Sequence, residues 1–167
     1  SMNNIIHKLE RNIKAGWEPQ ALLTAAQLNG VTFDQAVKHN SPLLVQFFID
    51  QGANIHADDD YALRWTIYNG HLEVVKLLVD QGANIHAQDD LSLRWASENG
   101  RLEIVKLLID QGANIHAKDD SALHLASQND HLEVVKLLID QGANIHADGD
   151  LALRLASSRG YLELVKL

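Results

Sequence analysis

Apolar residues fall at helical spacing in one short run, and that run returns every 30 residues. Leu72, Val75, Leu78 and Val79 share one helical face, which Val74 and Leu77 widen. The pattern predicts a helix from His71 to Asp80 in this copy and its equivalents in the others. Glu73 lies in the first turn and Lys76 follows three residues later, an order that suits the helix dipole. Gly82 ends the helix. A shorter helix precedes it, from Ala62 to Tyr68, and stops at Asn69-Gly70, a pair that favours the left-handed conformation. Asn84 to Asp90 form an irregular connector. A seven-residue helix does not stand alone in water, so each pair buries its apolar face only by stacking on its neighbours.

The phrase GANIHA starts at Gly52, Gly82, Gly112 and Gly142, which fixes the register of the repeat. Full units run over Tyr61–Asp90, Leu91–Asp120 and Ser121–Asp150. The expected organisation is an N-terminal helical cap over 2–30, a degenerate first repeat over 31–60, three full repeats over 61–150 and a partial final repeat over 151–167. In the cap, Ile5, Ile6, Leu9 and Ile13 predict one amphipathic helix, broken by Gly16. Pro19, at a helix start, opens a second with Leu22, Leu23 and Ala26. Ser1 before Met2 reads as a remnant of tag removal. Leu167 corresponds to Leu77, inside a second helix, so the array is expected to continue or to pack against another molecule; self-association through this uncapped end is the alternative.

Composition narrows the function. A net charge of −8 disfavours phosphate backbones and anionic membranes, so neither nucleic acid nor membrane is an expected partner. There is no cysteine, hence no disulfide framework and no thiolate metal site. That composition suits the cytoplasm. Neither a catalytic constellation nor a phosphate-binding loop has usable spacing, and residues repeated along a rod do not easily build one asymmetric active site. No enzyme activity, cofactor or metal is expected. His56, His86, His116 and His146 form a column, but units about 8–10 Å apart cannot bring two of them to one zinc ion. A loop histidine bonded to neighbouring backbone is the plainer expectation. Asp58-Asp59-Asp60, Asp89-Asp90, Asp119-Asp120 and Asp148/Asp150 read as turn and N-cap chemistry rather than a calcium site. Arg64, Arg94 and Arg154 are expected to pair with an aspartate of the adjacent connector.

The run Gly70–Asn84 resembles the outer helix and following loop of the ankyrin repeat. Ser121-Ala122-Leu123-His124-Leu125-Ala126 is similar to the threonine-proline-leucine-histidine opening of that family. The resemblance implies an all-α ankyrin-repeat solenoid of stacked helix-turn-helix units. Ankyrin units normally run about 33 residues. Here three residues are missing between Ala87 and Leu93 and at the equivalent places, so shortened fingers with little or no strand are expected. The 30-residue unit itself resembles the long ankyrin arrays of giant DNA viruses of amoebae.

The family likeness also implies a function: a non-enzymatic module that holds a partner protein on its concave face, with a host factor as the target if the viral likeness holds. Repeat compared with repeat, the second helix and its loop hardly change, whereas the first helix varies. The expected partner-binding residues are Tyr61, Trp65, Tyr68, Leu91, Trp95, Glu98, Asn99 and Gln128. For Trp65 and Trp95 inter-repeat packing is the plainer reading and a half-exposed binding anchor the alternative. The alternative is a structural array or a substrate of an ankyrin-directed asparagine/histidine hydroxylase. His86, His116 and His146 would be its targets, since Leu78, Leu108 and Leu138 precede them by eight residues.

Overall fold

The computed structural model describes residues 1–161, and the expectation about the chain's end at Leu167 lies outside them. Every regular element among the described residues is a helix. In order they are α1 (Met2–Lys14), α2 (Pro19–Leu28), α3 (Phe33–Lys38), α4 (Pro42–Asp50), α5 (Ala57–Tyr68), α6 (Leu72–Asp80), α7 (Ala87–Glu98), α8 (Leu102–Asp110), α9 (Ala117–Gln128), α10 (Leu132–Asp140) and α11 (Ala147–Arg159). The odd-numbered members from α5 on are the inner helices and the even-numbered ones the outer helices. The chain clusters into two compact units, Ser1–Thr66 with His71–Ala83, and Ile67–Gly70 with the chain from Asn84 onward.

In the first unit, α1 packs against α2 and α4, α3 against α4, and α4 against α6. Ile6 and Leu9 carry the buried side of α1. Two polar ties fix its place. Ser41 Oγ donates to Glu10 Oε2 at 3.0 Å, and the His39 ring bonds to Asn3 Oδ1 at 2.8 Å. Ser41 also caps α4 by accepting from the Leu44 N–H, with Pro42 pre-set at the first helical position. In α6 the core residues are Val74, Val75 and Leu78. Val74 is therefore central rather than marginal, and Leu72 and Val79 are only half-buried. The helix ends as its glycine demands. Gly82 has φ +95°, its N–H donates to Val79 O at 3.0 Å, and the Ala83 N–H donates to Leu78 O at 2.9 Å. This is the left-handed termination that satisfies two otherwise orphaned carbonyls.

In the second unit, inner helix α7 packs on α9 and α9 on α11, while α8 lies against α7 and α10 against both α9 and α8. Leu93, Leu123, Leu108 and Leu138 are fully buried along this stack. The 30-residue register is also visible in the backbone: Asn40, Gly70, Gly100, Asp130 and Gly160 all have positive φ.

The connectors hold a feature absent from the expected layout. Gln88, Asp89 and Asp90 are three consecutive left-handed residues, with φ of 53°, 55° and 53°. The same turn recurs at Asp58-Asp59-Asp60, Lys118-Asp119-Asp120 and Asp148-Gly149-Asp150. A left-handed residue other than glycine costs roughly 1–2 kcal/mol, least for Asp and Asn, which explains the aspartates. Three residues fewer than the usual unit leave no length for a hairpin, and the described residues contain no strand there. The inner helices proper begin after these turns.

Candidate binding face

Two of the turns are clamped by the arginine of the inner helix that follows them. Arg94 Nε donates to Asp89 O at 3.1 Å and its terminal nitrogen to Gln88 O at 2.9 Å. Arg64 makes the same two bonds, to Asp59 O and Asp58 O. Arg94 thus bonds to an aspartate of the adjacent connector as expected, through the backbone carbonyl of Asp89. The guanidinium fork matches two carbonyls that point out of a left-handed turn.

The aspartates and histidines have their own partnership. The His86 ring Nδ1 lies 3.0 Å from Asp90 Oδ2, and the His116 ring Nδ1 is 3.1 Å from Asp120. A carboxylate only accepts, so the proton is on Nδ1. The second acceptor function goes to the next repeat: the Asn114 N–H donates to Asp90 Oδ2 at 2.7 Å, and the Asn144 N–H to Asp120 Oδ2. Asp90 and Asp120 therefore stitch one repeat to the next instead of capping the inner helix, as the sequence alone suggested. The histidine partner is a carboxylate four residues on, not neighbouring backbone. His86, His116 and His146 keep half or more of the side chain exposed. Among the described residues, no three His, Asp or Glu side chains converge as metal ligands.

A second seam joins the loops. The Arg101 guanidinium covers Gly70 and donates to Tyr68 O at 3.2 Å. The His131 ring lies so close to Gly100 that a Cβ there would collide with its Nδ1. Where Asp130 replaces the glycine, the Tyr161 hydroxyl and Arg159 bond to its carboxylate instead. The 30-residue register could have paired these positions, since each side chain sits one unit and one residue after the site it covers.

The remaining surface is the outward side of the inner helices. On α7 the residues Ser92, Leu93, Ala96 and Ser97 are buried, leaving Leu91, Trp95 and Glu98 half-buried on the opposite stripe. Tyr68 is 50% exposed, and its ring meets the Trp95 ring edge-on at 5.5 Å. Among the described residues no cation pairs with Glu98. Gln128, at the same repeat position on α9, is exposed. Asn99 lies at the edge of the stripe, but its amide donates back to Trp95 O at 2.9 Å and so closes its own helix. In the first unit, Tyr61 is 40% exposed beneath the Arg64 guanidinium, 5.6 Å from its ring, and Trp65 is edge-on to His71 at 5.3 Å. The structure thus gathers Tyr68, Leu91, Trp95, Glu98 and Gln128 in one unit and places Tyr61 and Trp65 in the other.

No helix among the described residues is long and apolar enough to cross a membrane. No curated protein matches the sequence. A family model described as ankyrin repeats in three copies matches residues 33–119 and again 93–167. That match spans most of the chain, and the helix pairs, their glycine terminations and the stacking of inner on inner helix agree with it: the chain belongs to the ankyrin-repeat family.

Proposed function

We propose that this chain is a protein-binding module that takes its partner on the outward face of the inner helices. Ankyrin repeats are generally non-enzymatic protein-interaction modules. The observation that carries the finer reading is the Tyr68–Trp95 pair beside Glu98, a solvent-facing aromatic edge at positions where the repeats differ. Aromatic side chains held rigidly at a surface lose little entropy on binding and anchor many interfaces. Helices α1 and α2 serve as the cap of the stack. The 30-residue unit supports a giant-virus setting, in which the partner is a host protein of the cytoplasm.

Affinity capture from eukaryotic lysate tests this, with a Tyr68→Ala/Trp95→Ala/Glu98→Ala variant of unchanged helicity as control. A protein held by the natural chain and lost by the variant supports the reading; identical captures sink it.

One further reading has an observation of its own. The exposed rings of His86, His116 and His146 favour the hydroxylase-substrate alternative, for which a mass gain of one oxygen after enzyme treatment is the test.

A further inference from the structure

Trp95, Leu125 and Leu155 occupy one repeat position on α7, α9 and α11, and all three are half-buried. Glu98, Gln128 and Ser158 occupy the position three residues further on, so a polar stripe runs beside the apolar one. The apolar points recur once per inner helix. Packed helices lie about 8–10 Å apart. A polyproline-type chain advances roughly 3.1 Å per residue and brings every third side chain to the same side, a repeat of about 9.3 Å. A β-strand repeats its side every second residue, about 6.6–6.8 Å, and falls out of step with the helices after one anchor.

Resting on the binding-face reading above, we infer that the partner presents an extended, polyproline-type segment with an apolar side chain at every third position and a cationic side chain beside the first. The successive apolar side chains meet Trp95, Leu125 and Leu155. The cation lies against Glu98 and the ring face of Tyr68. Three features support a cation at that end: Glu98 has no ion pair among the described residues, it follows by three residues on α7 the Trp95 whose ring meets Tyr68, and the chain carries a net charge of −8. The preformed extended segment loses little entropy on docking, which suits a surface already held rigid by its own stack.

The test uses the full chain and three labelled synthetic peptides, read by fluorescence anisotropy. One has leucine at every third position on a proline-rich backbone with arginine beside the first leucine. The second has the same composition with leucine at every second position. The third has glutamate in place of arginine. The first peptide is expected to bind at least about tenfold more tightly than either other. Glu98→Lys, checked for native helicity, is expected to weaken the first peptide about tenfold and to strengthen the third. Leu125→Lys, checked for native helicity, should weaken all three. Equal affinities for the two spacings, indifference to Glu98→Lys, or no saturable binding would each overturn the inference. If a lysate partner is still lost on Trp95→Ala while the peptides show no spacing preference, the binding face stands and the extended-segment inference falls.

Discussion

Asp90 and Asp120 are 6–7% exposed, each with a histidine on its carboxylate and the next repeat's backbone N–H on one oxygen. Glu98 and Gln128, on the same helices α7 and α9, face outward without an ion pair among the described residues. Both pairs of positions recur with the same period, yet one is uniform and closed and the other is varied and open. The difference follows from what each must satisfy. A connector residue has to complete hydrogen bonds to a neighbouring copy of itself, so it is confined to one chemistry. An outward side chain such as that of Glu98 or Gln128 has no bond to a neighbouring copy to complete among the described residues, so it varies from copy to copy.

The comparison breaks first at the packed side. Leu93→Ala, with the side chain fully buried, should cost about 2–5 kcal/mol in urea unfolding, whereas Leu91→Ala on the open stripe of the same helix should cost less than about 1 kcal/mol. Equal losses would mean that the stripe is not open.

The stitching carboxylates come next. Asp120→Ala removes the acceptor of the Asn144 N–H and of the His116 ring and should cost about 2–3 kcal/mol. Asp150→Ala, at 53% exposure, should stay within about 0.5 kcal/mol. If the two substitutions behave alike in thermal melts, the bond between repeats has little weight.

A smaller effect of opposite sign tests the turn itself. Asp119 has φ +56°, and the fourth copy of the turn already places Gly149 there. Asp119→Gly should leave stability unchanged or raise it by up to about 1 kcal/mol, because glycine takes the left-handed region without steric cost. A clear loss by denaturant titration would show that the aspartate is needed for more than its backbone.

The smallest expected effect is in alkali. The Tyr161 hydroxyl donates to the Asp130 carboxylate, and this bond, with a lesser contribution from burial, raises its pKa above the usual 10.0. The folded state therefore favours the protonated phenol. Its contribution is fully present below pH 10.0 and is lost as pH rises through the folded pKa. Tyr161→Phe should flatten that part of the stability profile, and an unchanged alkaline slope would remove the bond from consideration.

The period of the GANIHA phrase, the spacing of Leu72, Val75 and Leu78, and the Asn-Gly and Gln-Gly helix ends were enough to specify helix pairs, their order and the family resemblance, because these signals are local. A glycine at positive φ or an apolar stripe of period 3.6 acts within one turn of chain. Even the varied stripe of Trp95, Glu98 and Gln128 could be picked out by comparing repeat with repeat. The partners of the polar residues could not. Asp90 bonding to Asn114 and His131 seated over Gly100 depend on where the next copy lies, and three left-handed residues in succession with Arg94 reaching back to their carbonyls leave no mark in helical spacing. Helix propensity and spacing set each repeat; only the packing of one repeat on the next decided which carboxylate is buried and which aromatic edge is left facing out.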